Sequence, residues 1–220
     1  DLELAYTRSM MAFLMFVELP RRVLLVGLGG GSVAKFIYHR LPDISVEVVE
    51  INPAVVAIAR QCFHVPDDDE RFVIKVGDGA ERVRMTRPRP DVIAVDGYDA
   101  EAHVPELSTR EFYRDCRARL RPGGMLVVNL WGGDRDFQEV LRRIEDAFPA
   151  GTLCLPAARP GNIIVLGFER APAELRWSAL SRRAADLEKE LGLEFPQFVE
   201  ALRRMNLFDS QGLLLRSAVA

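Results

Sequence analysis

The chain has 220 residues, 49% of them hydrophobic and 28% charged, with a formal net charge of -3 at pH 7. That is enough apolar material for one well-buried domain, and the slightly acidic balance supplies no basic field with which to displace the counterions of DNA or RNA. Cys62, Cys116 and Cys154 form neither a C-x-x-C pair nor an even set, and His39, His64 and His103 keep no ligand spacing with them; no disulfide framework and no metal site are expected, and a reducing cytoplasm fits best.

Met10 to Val17 is an apolar run interrupted by Glu18-Leu19-Pro20-Arg21-Arg22, with no small-residue cleavage site behind it. A membrane span needs about 20 apolar residues, so the run reads as a helix packed on the core or on a partner subunit. The chain begins at Asp1, not methionine, and a further N-terminal portion is expected upstream. Arg22 to Val26 is a continuous apolar run ending in glycines, as suits a strand buried on both faces.

A helix follows from Ser32 to Leu41, then a strand from Ser45 to Glu50, a helix from Pro53 to Cys62 with proline in its first turn, and a strand from Phe72 to Val76. Asp91 to Val95 reads as the fourth strand, Ser108 to Leu120 as a helix capped by Ser108 or Thr109, and Met125 to Leu130 as the fifth strand after Arg121-Pro122-Gly123-Gly124. After a helix over Arg135 to Phe148, the strands Thr152 to Leu155 and Asn162 to Phe168 suggest an edge hairpin, and Ala173 to Leu191 and Pro196 to Met205 read as amphipathic helices. Repeated strand–helix alternation implies right-handed crossovers in an α/β, doubly wound, mostly parallel seven-stranded sheet, Rossmann-like, with C-terminal helices. The expected division is an N-terminal segment over 1–20, an α/β domain over 21–170 and a helical appendage over 171–220.

In such sheets ligands bind beyond the carboxyl ends of the strands, and the sequence's unusual features gather there. Gly27-Leu28-Gly29-Gly30-Gly31-Ser32 opens a helix N-terminus with little side-chain bulk, which suits close approach of a ligand as well as a tight turn. Glu50 ends the second strand 21 positions beyond Gly29, where nucleoside folds place a carboxylate for the ribose hydroxyls. Asp78, before Gly79, reads either as the acceptor for an adenine amine or as a helix cap. Asp96 and Asp99, in Asp96-Gly97-Tyr98-Asp99, read as carboxylates for cationic amines or, for one of them, as a turn former. His103 stands on the next loop, with a titration range suited to proton transfer but also the exposure of an ordinary loop histidine. Trp131 is either a pocket wall or a packing residue.

The ordered series V-L-L-V-G-L-G-G-G-S-V-A-K, V-V-E-I-N-P, V-G-D-G, D-V-I-A-V-D-G-Y-D, L-S-T-R-E-F-Y and L-R-P-G-G-M-L-V-V-N, from Tyr6 to Asn129, resembles the polyamine aminopropyltransferases, of which spermidine synthase is the type. The resemblance implies the class I methyltransferase type of fold and a donor, decarboxylated S-adenosylmethionine, with Gly27, Gly29, Gly30, Gly31 and Gly79 lining its site, Glu50 at its ribose and Asp78 at its adenine. It implies Asp96 as the base that deprotonates the acceptor amine, such as putrescine, and Asp99 as the second carboxylate. Tyr6, Tyr98 and His103 then belong to the acceptor side. The resemblance also implies a homodimer, a small-molecule amine as partner, and neither a nucleic acid nor a membrane.

The chain departs from that pattern at Gly30, where the family has an aspartate that helps hold the donor's amine, at Phe36 for a glutamate, at Asn52 for an aspartate and at Ala100 for a proline. The late loop lacks a Trp-Gly-Phe segment, and the family's small β-rich N-terminal region is not visible before Asp1, with 1–20 expected as its remnant or a link to it. The departures cluster at amine recognition. They keep open a methyltransferase using S-adenosylmethionine itself, and a catalytically silent binding protein.

Overall fold

The computed structural model describes residues 2–97, 104–158 and 161–216. Its main sheet has seven strands: β1 (Arg22–Val26), β2 (Ser45–Glu50), β3 (Phe72–Val76), β4 (Val92–Val95), β5 (Met125–Trp131), β6 (Thr152–Pro156) and β7 (Asn162–Phe168). They lie in the order β3-β2-β1-β4-β5-β7-β6. The pairs from β3 across to β5 are parallel, and β7 runs antiparallel to both β5 and β6. The chain therefore winds outward from β1 in one direction and restarts at β4 in the other, which leaves a crevice beyond the ends of these two neighbours.

The strand residues sort by period two onto the two faces. Val23, Leu25, Val92, Ala94, Met125 and Val127 face one core, which α2 (Ser32–Arg40), α7 (Trp177–Leu191) and α8 (Phe195–Leu202) help to cover. Leu24, Val26, Ile93, Val95, Leu126 and Val128 face the other, against α5 (Arg110–Arg119) and α6 (Phe137–Ala147). Two further helices complete the winding, α3 (Pro53–Phe63) and α4 (Gly79–Met85). The central strands β1, β4 and β5 are buried along nearly their whole length, which is why their sequence runs are almost uninterruptedly apolar.

The N-terminal apolar run is not one helix. α1 covers Ala5–Met10 and a 3-10 turn covers Met11–Met15, with all five residues of that turn buried in the first core. The run is thus core, and residues 2–20 contain no strand. Among the described residues, no helix is long and apolar enough to cross a membrane.

Several element ends differ from the sequence reading. Asp91 lies outside β4 because its carboxylate is used sideways: Oδ2 accepts the Arg21 and Arg22 amides at 2.8 and 2.9 Å, and Oδ1 accepts from Arg121 at 3.1 Å. This ties the start of β1 to the turn that feeds β5. The expected helix over Ser108 to Leu120 splits into a 3-10 turn, Pro105–Ser108, and α5, whose cap is Thr109 accepting the Phe112 amide at 3.1 Å. Asp134 folds an Asx turn with the Asp136 amide, which delays α6 to Phe137.

Past α8, a two-stranded sheet of β8 (Leu207–Phe208) and β9 (Leu213–Leu214) appears where no strand is expected. Asn206 docks this tail on the edge strand: its Oδ1 accepts the Cys154 amide, and its Nδ2 donates to the carbonyls of Cys154 and Leu202. A side-chain amide thereby serves an otherwise open sheet edge.

Candidate active site

At the crevice between β1 and β4, the turn after β1 can form only with glycine. Gly27 has φ 98°, and a Cβ there would stand 2.4 Å from the Asp96 carbonyl oxygen. The absent side chain lets the end of β4 close on the end of β1, where the Asp96 amide donates to the Val26 carbonyl at 2.9 Å. Gly31, in the left-handed conformation at φ 70°, caps α2.

Glu50 holds this turn from the other side. It is buried, and its two carboxylate oxygens accept the amides of Leu28 at 2.9 Å and Asn52 at 3.0 Å. Glu50 is thus desolvated and compensated by backbone donors that it gathers around the glycine turn. Asn52, at the family's aspartate position, accepts the Ala54 amide as the N-cap of α3. Asp78 is the N-cap of α4, with Oδ1 accepting the Glu81 amide at 2.7 Å.

The cleft has a volume of about 290 Å3, and its walls include Tyr6, Gly27, Gly29, Gly30, Phe63 and Asp96. Asp96 supplies its charge; no Lys, Arg or His is among the described residues that line it. The Tyr6 hydroxyl donates to Asp96 Oδ2 at 3.2 Å, and the Asn129 amide donates to Oδ1 at 2.8 Å. Asn129 is only 2% exposed, and its own oxygen accepts from Asn162 Nδ2 at 2.9 Å. Donors on α1 and β5 thus grip both oxygens of the carboxylate, and β7 steadies one of those donors. Burial, reinforced by the adjoining Asp96 carboxylate, pushes the Tyr6 phenol well above its ordinary range, so it stays a donor at neutral pH.

The structure therefore brings Tyr6, Asp96 and the glycines Gly27, Gly29 and Gly30 together at one cleft, with Glu50 behind the turn. Tyr98, Asp99 and His103 lie outside the described residues. Trp131 ends β5 half-exposed. Sequence reasoning missed Asn129, Asn162 and Phe63. The available signal for Asn129 was an amide inside the apolar strand M-L-V-V-N-L-W, since a buried polar side chain requires a partner. Among the described residues, no group of three His, Cys, Asp or Glu is placed to hold a metal ion.

Sheet order and cleft together define a protein of the class I methyltransferase type of fold, with its ligand crevice at the β1/β4 switch. Within that class, the family model for the spermine/spermidine synthase domain matches residues 3–171. A polyamine aminopropyltransferase of Chromobacterium violaceum is 41% identical over 98% of this chain and 82% of its own length. The chain belongs to the spermine/spermidine synthase family. Among solved structures, human methyltransferase-like protein 13 in complex with SAH superimposes with a TM-score of 0.76 at 25% identity, over 86% of this chain and 93% of that one. Spermidine synthase from Thermotoga maritima follows at 0.75 and 23%, over 91% of this chain and 71% of that one, a likeness of fold.

Proposed function

We propose that the chain transfers an aminopropyl group from decarboxylated S-adenosylmethionine to a small polyamine such as putrescine. The observation that carries this reading is the set of cleft walls: a carboxylate gripped by two donors, and no cation among the described lining residues. A cationic amine gains a charge partner in such a cleft, whereas the carboxylate of intact S-adenosylmethionine gains none from a side chain.

In this reading Glu50 takes the donor's ribose, Asp78 its adenine, and the glycine turn with Gly79 lets the nucleoside approach the backbone. Asp96 removes a proton from the acceptor's ammonium, because a nitrogen without a lone pair cannot attack. The amine nitrogen then bonds to the methylene beside the sulfonium, the carbon–sulfur bond breaks, and its electron pair stays on sulfur, releasing methylthioadenosine. Tyr6 and Asn129 hold Asp96 in line for this step. Asp99 is assigned to the acceptor's distal amine, and Tyr98 and His103 to acceptor binding. The homodimer and the cytoplasm belong to the same proposal; three free cysteines, two of them buried, suit a reducing compartment.

A second reading, methyl transfer from S-adenosylmethionine, is favoured by the structural likeness to methyltransferase-like protein 13. Calorimetric titration separates the two. Tighter binding of the decarboxylated compound supports aminopropyl transfer, tighter binding of the intact one supports methyl transfer, and binding of neither removes the basis of both.

A further inference from the structure

The mechanism above leaves an aromatic ring on the cleft wall unused. Phe63, the last residue of α3, lines the cleft yet remains 49% exposed. Its position is fixed from several sides. The Lys35 ammonium donates to its carbonyl at 2.5 Å, and His64 turns the chain in the left-handed conformation at φ 52°. Val65 then packs so close to Gly31 that a Cβ there would stand 2.4 Å from its methyl group.

The ring consequently sits beside Gly30, where a Cβ would meet three ring atoms at 3.7 to 3.8 Å. That is ordinary contact, and Gly30 does not need a left-handed backbone, so a side chain would fit. Its absence leaves the ring bare toward the glycine turn. In the aminopropyl reading the donor's three-carbon tail lies over this turn, and among the described lining residues only Asp96, the base of that reading, carries a carboxylate. An aromatic face carries negative quadrupole density and attracts an ammonium within about 6 Å of its centre.

We infer that Phe63 is a specificity-determining residue, whose ring receives the donor's terminal ammonium at the place Gly30 leaves open. The inference rests on the aminopropyl reading. Binding covers the ring, removes water from between ring and cation, and so strengthens an attraction that is weak in the open.

The test compares two ligands on the whole chain by calorimetry: decarboxylated S-adenosylmethionine and methylthioadenosine, which shares the nucleoside but has no ammonium. The wild type should bind the first more tightly. Phe63→Leu, which keeps apolar bulk and loses the quadrupole, should weaken the first by about 2- to 30-fold and leave the second unchanged. Phe63→Tyr should keep the wild-type ratio within about twofold. Equal wild-type affinities, equal weakening of both ligands in Phe63→Leu, no weakening at all, or a collapsed ratio in Phe63→Tyr would each overturn the inference while the aminopropyl reading stands. A wild type that binds neither ligand would overturn both.

Discussion

Replacing Asn129 by leucine isolates what the buried amide does for Asp96. The two side chains have similar shape, so at a position 2% exposed the change removes polarity without leaving a large hole. Asp96 loses the donor at 2.8 Å, and Asn162 loses its acceptor at 2.9 Å. A hydrogen bond to a charged group contributes about 1.5–3 kcal/mol, and freeing a base from its working geometry can cost a hundredfold, so kcat should fall about 10- to 100-fold. Steady-state kinetics, with methylthioadenosine release as the readout, measure the fall, and calorimetry of the donor checks that its affinity is kept. Unchanged kcat in a folded variant would refute the positioning role; equal losses of kcat and donor affinity would mark the residue as merely structural.

Glu50→Ala removes the acceptor for the Leu28 and Asn52 amides, and donor affinity measured by calorimetry should drop about 10- to 100-fold, before any effect on the acceptor's KM. Gly27→Ala would force φ 98° on a residue with a Cβ 2.4 Å from the Asp96 carbonyl oxygen; strain alone costs about 1–3 kcal/mol, so denaturant midpoint and kcat should fall together. Burial pushes the Cys154 thiol from 9.0 up to about 11, so the folded state keeps its proton longer than the unfolded chain. That contribution is intact below pH 9 and is lost as pH rises from 9 through 11, on the order of 3 kcal/mol in all, and Cys154→Val should flatten the alkaline fall in unfolding free energy.

The sheet was legible because central parallel strands covered on both faces are nearly continuous apolar runs, as in R-V-L-L-V and M-L-V-V-N-L-W, while the more exposed S-V-E-V-V-E and F-V-I-K-V are bounded by the glycines, prolines and charges beside them. Glu50 and Asp96 were legible for the same reason, as carboxylates placed where such strands end. What was hidden is long-range. Tyr6 meets Asp96 across 90 positions, and Asn129 and Asn162 meet across 33, so no local period announces either contact. The carboxylate of Asp91 also works sideways to its own strand, which the run D-V-I-A-V does not reveal. The strands Leu207–Phe208 and Leu213–Leu214 are two residues each, too short for alternation to register.

Product analysis tests the central claim most directly. The purified chain is incubated with decarboxylated S-adenosylmethionine and putrescine beside an Asp96→Asn variant, and nucleoside and amine products are separated and identified by mass. The predicted result is equimolar methylthioadenosine and spermidine from the wild type, and none from the variant despite intact donor binding. Undiminished turnover by Asp96→Asn, or a methylated amine formed only from intact S-adenosylmethionine, would contradict the account.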